Sequence, residues 1–193
     1  MKALRIAAGD ARTPTFAAFS DADAYFNRGP CTTCGRWNHG TIHPDINDIW
    51  LGLVGAGVRP GALTAFTDHP DIVATARSLL GIAPSSDLDG VPILPALAKQ
   101  STTELLTARE AYKQLMAPFG GLGRAILRIS TEGVRGGAGA RGNADARIAD
   151  LAARRDAIAA EIRGAIDGTA QRSAPQLTDA TSRANALIAE AAK

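Results

Sequence analysis

Aromatic side chains are scarce in this 193-residue chain, at 5% of the residues, and cysteine is scarcer still, with two. So few rings exclude an interior built from large aromatic contacts and leave aliphatic contacts between helices as the source of the core. Two cysteines exclude a disulfide scaffold. No run of eighteen or more apolar residues occurs, which excludes a membrane-spanning helix, and the start carries no charged, apolar and small-residue leader of the secretory kind. The expectation is a soluble protein of the cytoplasm or of an intracellularly assembled particle. Charge of one sign is missing as well, since the formal net charge is +2.

That balance is uneven along the chain. Residues 1–112 hold nine Lys or Arg against eleven Asp or Glu, residues 113–142 five against one, and residues 143–193 seven against seven. The middle excess is Lys113, Arg124, Arg128, Arg135 and Arg141, the last two set in a glycine-rich stretch that reads as a flexible linker over 131–142. Such a strap can touch phosphates with salt-sensitive affinity, but two linker arginines fall short of a basic face and suit a solvated connector better.

What is abundant is alanine, with leucine and isoleucine at helical spacing, and the predicted class is mainly α. The residues divide into a helical body over 1–130, the linker, and an antiparallel helical hairpin over 143–193. In the body, Leu4, Ile6, Thr15, Phe16 and Phe19 around Gly9-Asp10 fit a short hairpin, and Ser20 opens a helical turn. His43-Pro44-Asp45-Ile46 recurs as His69-Pro70-Asp71-Ile72, and at the same offset Leu53-Val54-Gly55 matches Leu79-Leu80-Gly81. Each copy predicts a helix opened by Pro, with Asp at the positive end of the helix dipole and Gly at the close. Val91 to Pro95 is an apolar connector. Ser101 or Thr102 caps a helix to about Met116, whose apolar stripe includes Arg109, and a further helix runs from Phe119 or Leu122 to Ile129.

In the predicted hairpin, Asn143 is the cap. Ile148, Leu151, Arg155, Ile158, Ile162 and Ala165 form a coiled-coil-like seam, and Leu177, Ala180, Ala184, Leu187 and Ala191 repeat it after Ser173-Ala174-Pro175. An Arg at a core-type position suits a seam facing a partner or one from which the guanidinium reaches water. The hairpin is thus the expected surface for self-association or for a protein partner.

Both cysteines and two of the three histidines fall within Cys31-Thr32-Thr33-Cys34-Gly35-Arg36-Trp37-Asn38-His39-Gly40-Thr41-Ile42-His43. Two thiolates and two imidazoles at this spacing make Cys31, Cys34, His39 and His43 a candidate structural zinc site, with a redox Cys pair as the alternative. This stretch resembles the zinc knuckle, whose Cys-Gly-Lys/Arg-x-x-His run is matched by Cys34-Gly35-Arg36-Trp37-Asn38-His39. The final knuckle cysteine would fall on Pro44, so His43 stands in one residue early. The resemblance implies a zinc-ordered loop and, through Arg36 and Trp37, contact with an unpaired base.

Signals for catalysis are few. Pro30-Cys31-Thr32-Thr33-Cys34 matches half of the zinc-deaminase pattern, but the chain has no His-x-Glu, no phosphate-cradling loop and no Gly-x-Ser-x-Gly. The expected function is a non-enzymatic assembly or interaction protein stabilised by zinc. The alternative is a single-stranded nucleic-acid binder using Arg36, Trp37, Arg135 and Arg141.

Overall fold

The computed structural model describes residues 48–193. The first predicted hairpin, the Ser20 turn, the Cys31 to His43 loop and the opening of the first repeat copy lie outside the described residues. By its contacts the chain divides into two compact units, Ala7–Val54 and the rest. Of the first unit, residues 48–54 are described and have no regular structure. The helix expected from Ile49, Trp50, Leu53 and Val54 is therefore not formed there. Apolar spacing alone does not hold so short a helix without a surface to pack on.

The second unit is mainly helical. Its elements are α1 (His69–Leu79), a 3-10 turn (Leu94–Ala96), α2 (Thr103–Met116), α3 (Gly121–Arg135), α4 (Gly137–Ile166) and α5 (Ala174–Ala191). Among the described residues there is no strand, only an isolated antiparallel bridge between Val58 and Leu97. No helix among them is long and apolar enough to cross a membrane.

Local chemistry sets most of these boundaries. Pro70 stands in the first turn of α1, and the chain leaves it through Gly81 at φ +67°. Thr102 caps α2, its hydroxyl accepting from the Leu105 N–H at 3.3 Å. Ser173 begins α5, where the Gln176 side chain reaches back to accept from the Ser173 N–H at 2.9 Å.

The glycine-rich stretch is not a linker. Helix α3 runs through Arg135, α4 starts at Gly137, and the turn between them is Gly136-Gly137, with Gly137 at φ +83°. Glycine here serves packing. Gly133 is buried where the two helices meet, and a Cβ on it would lie 2.5 Å from the Ala144 Cβ. Asn143, expected as a cap, is inside α4.

Helices α2 to α5 share one core of Ala108, Tyr112, Leu115, Leu122, Ile126, Ile129, Leu151, Ile158, Ile162, Leu177, Ala184 and Leu187 with their neighbours. The Arg154 guanidinium on α4 pairs with Glu190 on α5 at 2.6 Å, and Arg183 on α5 pairs with Glu161 on α4 at 2.7 Å. Residue numbers therefore rise along one helix as they fall along the other. Both seams of the expected hairpin are consumed inside this common core, and no seam is left over as a separate appendage. Arg155 is itself buried, but its guanidinium reaches a half-exposed carboxylate at the edge of the core. It is 5% exposed and folds over onto Asp156, whose Oδ1 accepts from Nε at 2.9 Å and from Nη2 at 2.6 Å.

The Glu190 and Glu161 carboxyls are both held below the usual carboxylate range, chiefly by hydrogen bonds from Arg154 and Arg183. A depressed carboxylate stabilises the fold above its unfolded value and loses that contribution as pH falls through the folded one, so these clamps loosen in acid. Both are solvent-exposed pairs and contribute little each.

Candidate functional site

Helix α1 is seated differently from the others. The side chains it buries are Asp71, Ala74 and Thr75, two of them polar. The reason lies in the connector it covers. Val91 and Ile93 are buried in a stretch without regular structure, so their backbone N–H groups have no helical or sheet partner and require one. The Val91 N–H donates to Asp71 Oδ1 at 2.9 Å, and the Ile93 N–H to Thr75 Oγ1 at 3.0 Å. Thr75 in turn donates to the Asp71 carbonyl at 2.6 Å.

Asp71 is also the hub of a buried ionic cluster. Its Oδ2 receives Arg109 Nη2, from α2, at 3.2 Å and the Asp68 N–H at 3.3 Å, while Lys113, also from α2, donates to Oδ1 at 3.0 Å and lies 2.8 Å from Oδ2. Asp71 is 0% exposed, Arg109 and Lys113 1% each. Arg109 uses two further donors on backbone, Nε to the Pro92 carbonyl at 2.7 Å and Nη1 to the Phe66 carbonyl at 3.2 Å. Lys113 pairs with Asp68 as well and lies 6.0 Å from the centre of the Phe66 ring. Burial pushes the Arg109 guanidinium below its ordinary value, and the Asp71 charge opposes that fall. Two buried cations thus meet one fully buried carboxylate, Asp71, and one partly exposed, Asp68. Every one of the donors named here is taken, so the cluster fixes three chain segments together and holds no group free to react.

A signal for this cluster was present in the sequence. Arg109 lies on the apolar stripe of α2, and Lys113 follows one turn later, which places two cations on the buried side of a helix. Lys113 therefore leaves the basic excess of residues 113–142, because its charge is neutralised inside.

The other predicted residues scatter. Cys31, Cys34, Arg36, Trp37, His39 and His43 lie outside the described residues. Arg135 is exposed at the last turn of α3, and Arg141 is exposed on α4 with Asp145 3.8 Å away. They are parts of helices rather than of a flexible strap. Among the described residues no group of His, Cys, Asp and Glu could hold a metal ion.

A cleft of about 520 Å3 opens beside α1, lined by Ala74, Arg77, Leu94, Leu105, Arg163 and Ile166 among others. Its carboxylate, Asp167, is held by Arg163 Nε at 2.6 Å, and the hydroxyls on its wall have no histidine beside them. No nucleophile and base are paired there.

The outer side of α1 is where unusual chemistry is exposed. Ile72, Val73, Ala76, Leu79 and Leu80 fall on one arc of the helix, opposite Asp71, Ala74 and Thr75, and all five are open to solvent. Leu80 is 74% exposed and Val73 51%. Ile82, 45% exposed, extends the patch. The usual pattern is inverted, with the polar side inward and the apolar side outward. The result is an uncharged apolar patch on the outer side of the helix.

Comparison with protein-family models, curated proteins and solved structures finds no match to the chain.

Proposed function

We propose that this is an assembly protein, with the exposed apolar arc of α1 as its contact surface and no chemistry of its own at that surface. The observation that carries the reading is the inversion of α1. A helix held by ions on its inner side leaves Val73 and Leu80 more than half exposed and Ile72 and Leu79 partly so, and the exposed parts acquire a role when another chain covers them. The C-terminal seam, consumed in the core, leaves this arc as the stronger candidate.

The test is solution size. Leu80→Asp places a charge at the C-terminal end of the arc, at a position the monomer leaves open, so the helical signal is expected to persist while the assembled species falls by at least tenfold in affinity. Val134→Asp, an exposed apolar position on α3, serves as the control and is expected to leave assembly unchanged. A wild-type chain that elutes as a monomer at every accessible concentration, alone and in extracts of its source, removes the reading.

Zinc belongs to the same proposal as a staple of the N-terminal part. The donor set of Cys31, Cys34, His39 and His43 suits zinc, two thiolates and two imidazoles closing a tetrahedron. Elemental analysis is expected to find about one zinc per chain, reduced to background by Cys34→Ser. Zinc at background in the unaltered protein purified without chelator counts against the site.

A further inference from the structure

We infer that the occupant of the α1 arc is the 49–54 segment of a second copy of this chain, exchanged reciprocally between two copies; this rests on the assembly reading above and names its partner.

The first argument is the sequence repeat. Ile72, Ala76, Leu79 and Leu80 lie on the arc, and at the same offset Ile46, Trp50, Leu53 and Val54 are apolar in the earlier copy, although Val73 answers to Asn47. Of the inward residues Asp71 recurs as Asp45, and Thr75 answers to Ile49.

The second argument is exposure without charge. Residues 49–54 hold no charged side chain, have no regular structure, and leave Trp50 88% and Val54 100% exposed. Their helical spacing encodes a helix that needs a partner surface to form. The arc is uncharged too, and depletion of charge is the composition of an interface centre.

Area is the third. The exposed parts of Ile72, Val73, Leu79, Leu80 and Ile82 amount to roughly 400 Å2, and those of Ile49, Trp50, Leu51 and Val54 to roughly 500 Å2. One docking buries about 900 Å2 and a reciprocal exchange about twice that, the size of a stable specific interface.

The experiment uses full-length chains carrying two different tags, co-expressed and purified through both. One chain has benzoyl-phenylalanine in place of Leu51. Irradiation is expected to give a product of two-chain mass whose cross-linked peptide spans residues 72–82 of the other copy. A complementary pair tests the same contact by charge. Leu80→Asp chains and Val54→Lys chains are each expected to be monomeric alone and to associate on mixing at least tenfold more tightly than either does with itself. Cross-links confined to one chain, or to other surfaces of the second copy, overturn the proposal, as does failure of the mixed pair to associate. If Leu80→Asp abolishes assembly but these links do not form, the arc remains the assembly surface and this occupant is wrong.

Discussion

Replacing Asp71 by asparagine is expected to destabilise the second unit by about 3–5 kcal/mol, enough to lower its melting temperature by roughly 10 °C or more. The side chain keeps its shape and loses its charge, leaving Arg109 and Lys113 in the interior with Asp68 as the remaining carboxylate of the cluster. Desolvating two cations was tolerable because Asp71 sat between them, 2.8 Å from Lys113 and 3.2 Å from Arg109. The amide also offers hydrogens where the Val91 N–H and the Asp68 N–H each need an acceptor. Asp71→Asn combined with Lys113→Met restores one cation to one carboxylate, so the double variant should be less destabilised than the sum of the two single variants by 1 kcal/mol or more, on the order expected for groups in contact. Urea unfolding followed by circular dichroism checks both. A single variant within about 0.5 kcal/mol of the wild type would mean that water already reaches the cluster.

Gly90→Ala is expected to cost about 3 kcal/mol, at the upper end for forcing one extra carbon into a filled site. A Cβ at this position would lie 2.1 Å from the Pro70 carbonyl oxygen and 2.5 Å from the Asp71 nitrogen, both backbone atoms that no side-chain rotation can move aside. Relief requires the 90–93 connector to lift off α1, and lifting it breaks the hydrogen bond from the Val91 N–H to Asp71. Gly139→Ala is the matched comparison with the opposite sign. Its Cβ meets nothing within 4 Å inside α4, so alanine should stabilise by up to about 1 kcal/mol through helix propensity alone. Equal melting temperatures for the two variants would contradict the close approach of Gly90 to α1.

Much of the helical pattern was legible because it rests on short-range chemistry. Thr102, Pro70, Gly81 and Ser173 act within a turn of themselves, and the seam from Leu177 to Ala191 states its own period. The glycine stretch misled because composition says how freely a backbone can move, while the contact of Gly133 with Ala144 depends on which helix arrives opposite. Asp71 was legible as a helix-opening residue and illegible as a hub. Its partners are 38 and 42 positions away, and a carboxylate at the start of a helix looks the same whether it faces water or a guanidinium. Arg109 on an apolar stripe was the one local hint that a counter-charge had to be found elsewhere. Which way the apolar arc of α1 faces was illegible for the same reason, since spacing identifies a side of a helix without saying where it points.

Ionic contacts differ from oily ones in being directional. Because α1 is held through a carboxylate gripped by two cations, a rotation by one residue would pull Asp71 out of reach of both and swing Ile72 into their place. The helix is thereby indexed like a key in a lock, and whatever meets its outer side meets it at one angle only.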